Sequence, residues 1–139
     1  MSRIVLDRHV MPIRTSDDIT LVRTYVRTMA RANGFDSFST LDVTTAASEL
    51  ARNALVHGLG GHARLERISD PWRYGVRAEF HDHGPGIHNL ALALAGGHST
   101  KGSLGLGLSG SRRLVDEFDV DSQPGRGTIV HFVKWGRPR

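Results

Sequence analysis

Cysteine is absent from the chain, which excludes disulfides and every metal site that needs a thiolate. Long apolar runs are missing too: nothing approaches the ~20 residues of a membrane-spanning helix. The N-terminal stretch MSRIVLDRHV carries charges where a signal peptide needs an apolar centre, so the cytoplasm is the expected compartment and no membrane is expected as a partner. Aromatic residues make up 6% of the chain, and its 18 Lys and Arg are scattered without a basic block. A net charge of +4 therefore permits an acidic partner, but neither a basic patch nor an aromatic RNA-reading motif argues for nucleic acid. Low-complexity segments, linkers and internal repeats are lacking as well. With 39% apolar and 23% charged residues over 139 positions, residues 1–139 read as one globular domain with one core.

Glycine, by contrast, is concentrated. Eight of the 16 glycines fall between Gly84 and Gly110, in GPGIHNLALALAGGHSTKGSLGLGLSG. Without a Cβ the backbone can approach an anion closely and turn several N–H groups toward it. The literal GxGxxG at Gly105 to Gly110 lacks the preceding strand of a dinucleotide-binding fold, because the residues before it are the polar GGHSTKGS. No Walker A motif is present either.

Periodicity supplies the scaffold around this stretch. HVMPIRT, residues 9 to 15, reads as a short edge strand because Pro12 cannot donate to a ladder. Ser16 with Asp17 and Asp18 caps a helix over 17–33, carried by Ile19, Val22, Val26 and Met29 and ended by Gly34. Ser39 caps a second helix over 40–57, with Val43, Ala46, Ala47, Leu50 and Ala54 as its stripe and Gly58 as its stop. Strands over 63–69 and 74–82 form a hairpin across Asp70-Pro71. A short apolar helix over 90–95 follows, and another runs from Leu108 to about Phe118. Strands over 118–122 and 128–135 close a second hairpin around Pro124-Gly125-Arg126-Gly127. This order predicts an α+β fold, a two-layer α/β sandwich with a mostly antiparallel sheet and helices on one face.

Four groups of residues point to chemistry. Glu49 and Asn53 stand one turn apart on the second helix, with His57 one turn further. A carboxylate there suits a general base, and an amide oxygen suits a Mg²⁺ ion that phosphates also hold. Asp82-His83-Gly84-Pro85-Gly86 ends a strand in an acid able to accept from the amino group of a base. The glycine loop running into a helix is the third group, and Gly127-Thr128 opening the last strand is the fourth. Each alone is ordinary: a solvated helix face, an Asx turn, a surface loop, a hairpin turn. His81-x-His83, with His88 and His98 beyond, lacks a ligand set with supporting spacing for zinc.

In this order and spacing the four groups resemble the GHKL, or Bergerat-fold, ATPases, with E-x-x-x-N, D-x-G-x-G and G-x-x-G-x-G as their boxes. ASELARNAL, DHGPGI, HSTKGSLGLGLSGSRRLVDEF and GRGTIVHFVKW are further similar to the small RsbT-type serine/threonine switch kinases of bacterial partner-switching systems. The resemblance covers about residues 10–136. It implies an ATP- and Mg²⁺-dependent kinase acting on a STAS-domain protein of a stressosome. It also implies Glu49 as general base, Asn53 as Mg²⁺ ligand and Asp82 on the adenine amino group. Gly84 and Gly86 would shape the adenine pocket and Thr128 would support it. Gly102, Gly105 and Gly107 would wrap the phosphates as a lid, with Ser99, Thr100 and Lys101 reaching the β- or γ-phosphate. The same resemblance leaves a second reading open: an anti-sigma factor that sequesters a sigma factor, or an activator docking on a phosphatase. It assigns no role to His57, His81 or His83.

Overall fold

The computed structural model describes residues 2–86 and 108–138. Its elements run β1 (Ile4–Ile13), α1 (Ser16–Ala32), α2 (Ser37–Val56), β2 (Gly61–Ser69), β3 (Tyr74–Asp82), α3 (Leu108–Leu114), β4 (Glu117–Gln123) and β5 (Gly127–Trp135). The five strands form one sheet in the order β1-β2-β3-β5-β4, antiparallel at every pairing. The expected α+β sandwich is therefore the observed one. Alternation along the strands sorts its faces. Ala63, Leu65, Val76, Ala78, Phe80, Val130 and Phe132 point to the helices and join the stripes of α1 and α2 in a single core. The small Ala46, Ala47, Ala51 and Ala54 are fully buried on α2, which lets that helix lie close to α1 and the sheet.

The opposite face is more polar and carries a buried ion group. Glu66 is 2% exposed and accepts from Arg8 Nε and Arg77 Nε, each at 2.6 Å. Those cations repay the desolvation of the carboxylate. Beside it Ile68, Val133 and Trp135 form a small second apolar cluster, and the Arg73 guanidinium lies 4.2 Å from the Trp135 ring centre.

Several boundaries differ from the sequence reading. Helix α1 is capped at Thr15, one residue before the expected Ser16, because Asp18 reaches back to the amides of Arg14 and Thr15 at 2.8 and 3.0 Å. Helix α2 starts three residues early: Asp36, not Ser39, is its cap, and Asp36 Oδ1 accepts from the Ser39 amide at 2.7 Å. The helix expected to reach Phe118 stops at Leu114. There Asp116 is drawn onto the last strand, donating its amide to Val133 O at 2.9 Å and accepting from the Trp135 amide at 2.6 Å. Strand β1 is an edge strand as expected but begins at Ile4. A bulge between Val5 and Asp7 breaks the alternation by which its first half could be read. The helix expected over 90–95 lies outside the described residues.

Candidate functional site

The end of β3 carries the site. Asp82 is the last residue of that strand, and its Oδ1 accepts from the Gly84 amide at 2.9 Å and from the Thr128 amide at 3.2 Å. The first bond is an Asx turn that bends the chain out of the sheet. The second ties β3 to the start of β5, where Asp82 and Thr128 pair directly. Burial pushes the Asp82 carboxyl above its ordinary range, against the opposing pull of these two amides. A half-buried carboxylate held in this way is a fixed acceptor at the bottom of a cleft.

The glycines around it stand where no side chain fits. A Cβ on Gly84 would lie 2.6 Å from Gly58 Cα, so the turn after β3 packs directly on the end of α2. Gly86 has φ +78 and faces the backbone of Gln123, while the Gly125 amide donates to Pro85 O at 2.7 Å. The D-x-G-x-G turn is thereby clamped between the helix end and the β4–β5 turn. Thr128 is buried, and its hydroxyl lies 2.8 Å from that of Ser122 on β4.

One cavity joins these parts. Among the described residues Asn53, His57, Asp82, Gly86 and Thr128 line it together with the apolar Leu50, Ala54, Phe80, Leu108 and Val130. An apolar slot with an acid at its base and an amide on its wall suits a flat heteroaromatic ring that has a polar edge. Of the residues expected from the sequence, Asn53, Asp82, Gly86 and Thr128 come together here, and Gly84 packs just behind them. Glu49 lies one turn before Asn53 on α2, half-buried, and does not line this cavity. Ser99, Thr100, Lys101, Gly102, Gly105 and Gly107 lie outside the described residues.

Sequence reasoning missed two contributors. By sequence Gly58 is only a helix stop, yet a Cβ there would come within 2.3 Å of Asp82 Cγ and 2.6 Å of Oδ2. Its position at the end of the helix that carries Asn53 was the available signal. The apolar wall of Phe80, Val130 and Leu108 is the second, since local pattern does not separate these positions from ordinary core.

An apolar cleft lined by an acid, between a helix end and an antiparallel sheet, is the arrangement expected from the sequence for a nucleotide-binding module. The chain belongs to the histidine kinase-like ATPase domain family, whose model matches residues 14–134. It is 37% identical over 131 residues to the serine/threonine-protein kinase RsbT of Bacillus subtilis, covering 94% of this chain and 98% of that protein. This similarity bears out the expected class, an ATP-using serine/threonine protein kinase. Anti-sigma F factors are also similar: that of Bacillus cereus strain G9842 is 32% identical over 99 residues, with 68% of each chain covered. Among solved structures, the SiaB-SiaC complex from Pseudomonas aeruginosa contains a chain that superposes with a TM-score of 0.57 at 16% identity, covering 94% of this chain and 90% of that one. That likeness concerns the fold. Among the described residues no helix is long and apolar enough to cross a membrane.

Proposed function

We propose that the chain is the kinase of a cytoplasmic partner-switching module, transferring the γ-phosphoryl group of ATP to a serine or threonine hydroxyl of a STAS-domain protein of a stressosome. The observation that carries this reading is the fixed Asp82 carboxylate under an apolar slot, with Asn53 on the slot's wall and Glu49 one helical turn beyond. In it Asp82 accepts from the adenine amino group, Thr128 and the clamped Gly84 and Gly86 keep the base edge in register, and the apolar wall holds the ring. Glu49 takes the proton of the substrate hydroxyl as its oxygen bonds to the γ-phosphorus and the bond to the bridging oxygen breaks, releasing ADP. Residues 99–102, 105 and 107 are proposed to cover the phosphates.

Mg²⁺ fits this donor set. Among the described residues no group of three or more His, Asp or Glu forms a protein-only metal cage, and Mg²⁺ is commonly held by few protein oxygens together with substrate phosphates. Asn53 would be its protein ligand, and the ion would neutralise charge developing on the phosphates.

The test is intact-protein mass spectrometry of a STAS-domain protein incubated with the chain, ATP and Mg²⁺. A single phosphate added only when all three are present supports the reading; an unmodified substrate contradicts it. Similarity to anti-sigma F factors supports a second reading, in which the chain sequesters a sigma factor or docks on a phosphatase. Tight, nucleotide-dependent capture of a sigma factor without phosphate transfer would favour it.

A further inference from the structure

We propose that the outer edge of β1 and the groove at its C-terminal end form a docking site for an extended, acidic and apolar segment of a partner protein, which adds to the sheet as a sixth strand. This goes beyond the kinase reading, because among the described residues the groove shares none with the nucleotide cavity.

Strand β1 pairs with β2 on one side and has no neighbouring strand on the other among the described residues. Over ten residues it presents apolar side chains to solvent: Ile4 is 59% exposed, Val10 63%, and Val5 and Leu6 are exposed as well. Long apolar edge strands invite another strand unless charge, proline or a covering element blocks them. Here Pro12 stands near the end and the bulge at Val5 to Asp7 breaks the ladder, which leaves residues 7 to 11 as the stretch open to pairing, with Val10 as its exposed apolar side chain and Arg8 held on Glu66.

That stretch runs into a groove of about 480 Å³ lined by Val10, Pro12, Arg14, Leu59, His62 and His83 with the glycines between them. No carboxylate lines it among the described residues; of the acids close by in sequence, Asp82 accepts from the amides of Gly84 and Thr128 and Asp18 from those of Arg14 and Thr15. Arg14 supplies positive charge and the imidazoles supply donors. Leu59 adds a second signal: it is 80% exposed and holds φ 61, a left-handed backbone that a leucine rarely adopts. The loop thus displays an apolar side chain at the rim of a donor-rich groove. Apolar anchors alternating with carboxylates are the complement of such a surface, with main-chain bonds supplied by the strand edge.

A second copy of this chain is the weaker complement. Two-fold antiparallel pairing centred on residues 8 or 9 would bring Arg14 of one copy to residues 2 to 4 of the other, next to Arg3. Arg3 is itself paired with Glu117 at 2.6 Å, so Arg14 would meet no unpaired carboxylate there, and the sole acid of β1 is Asp7.

The test uses a fluorescein-labelled decapeptide of alternating glutamate and valine, read by anisotropy at low salt, beside the same peptide with lysine for glutamate. The proposal expects saturable binding of the acidic peptide alone. Arg14→Glu should weaken it at least about tenfold through charge reversal, and Val10→Lys should do the same by placing a charge in the edge. Leu59→Asp, which keeps a residue tolerant of the left-handed backbone, checks the groove independently of β1. Hydrogen exchange at β1 amides should slow when the peptide is bound. Equal affinity for the lysine peptide, indifference to all three substitutions, or no binding at all would overturn the proposal. So would a concentration-dependent dimer that Val10→Lys dissolves, which would assign the edge to a second copy. None of these readouts involves phosphate transfer, so they stand or fall separately from the kinase reading.

Discussion

Replacing Asp82 by asparagine should separate nucleotide recognition from stability. Asn keeps an Oδ1 acceptor for the Gly84 and Thr128 amides, now 2.9 and 3.2 Å away, so the turn can hold. The second oxygen, which lies against Gly58, becomes an NH₂ group. An adenine amino donor that met a carboxylate would then meet another donor. A hydrogen bond to a charged group contributes about 1.5–3 kcal/mol, so the dissociation constant for ADP should rise roughly ten- to a hundredfold. Stability should move the other way. Burial raises the Asp82 carboxyl above its ordinary 3.8, so between the unfolded and folded values the native state binds more protons. Folding free energy therefore declines as pH rises through that window, and the cost persists above it. The D82N chain has no charge to bury and should match or exceed the native melting temperature at neutral pH, with a flatter profile just above pH 3.8. Calorimetric titration with ADP and thermal unfolding across pH measure both. A dissociation constant within about twofold of the native one would refute the role given to Asp82.

Further outcomes follow from the same structure. Gly58→Ala puts a methyl 2.3 Å from Asp82 Cγ; it should cost about 1–3 kcal/mol of stability and remove ADP binding, as calorimetry would show. Asn53→Ala should weaken the Mg²⁺-dependent part of ATP affinity while leaving metal-free ADP binding near native, measured by titration with and without EDTA. Glu66→Gln breaks the ion group with Arg77 and Arg8; since both arginines keep access to water, the loss should be about 1–2 kcal/mol in urea unfolding. Burial alone would raise the Glu66 carboxyl, but the two guanidiniums bring it below its ordinary 4.5. Its contribution is therefore full above that pH and lost as pH falls below it, so Glu66→Gln should flatten the acid limb of the stability profile.

The parts of the fold legible in the sequence were those with strong period and local chemistry. The stripes Ile19-Val22-Val26-Met29 and Val43-Ala46-Leu50-Ala54 sit on the buried faces of α1 and α2, and Tyr74 to Asp82 is β3 to the residue. Competing polar residues blurred the helix starts: Asp36 and Ser39 are both good caps, and only the bond to the Ser39 amide decides between them. The start of β1 was hidden because Ile4, Val5 and Leu6 are all exposed and show no alternation. Among the residues that line the cavity, those with a chemical signature, Asn53, Asp82, Gly86 and Thr128, could be singled out in advance. Gly58 and the apolar wall could not, because their part depends on a close approach between the end of α2 and the end of β3 that local pattern does not encode.

The most direct test of the proposed catalytic arrangement is single-turnover phosphate transfer to the STAS-domain protein by Glu49→Ala, with ATP affinity measured on the same preparation. Loss of transfer by a factor of about 10² or more, with affinity near native, is the result expected of a general base outside the nucleotide cavity. Transfer at the native rate would contradict it.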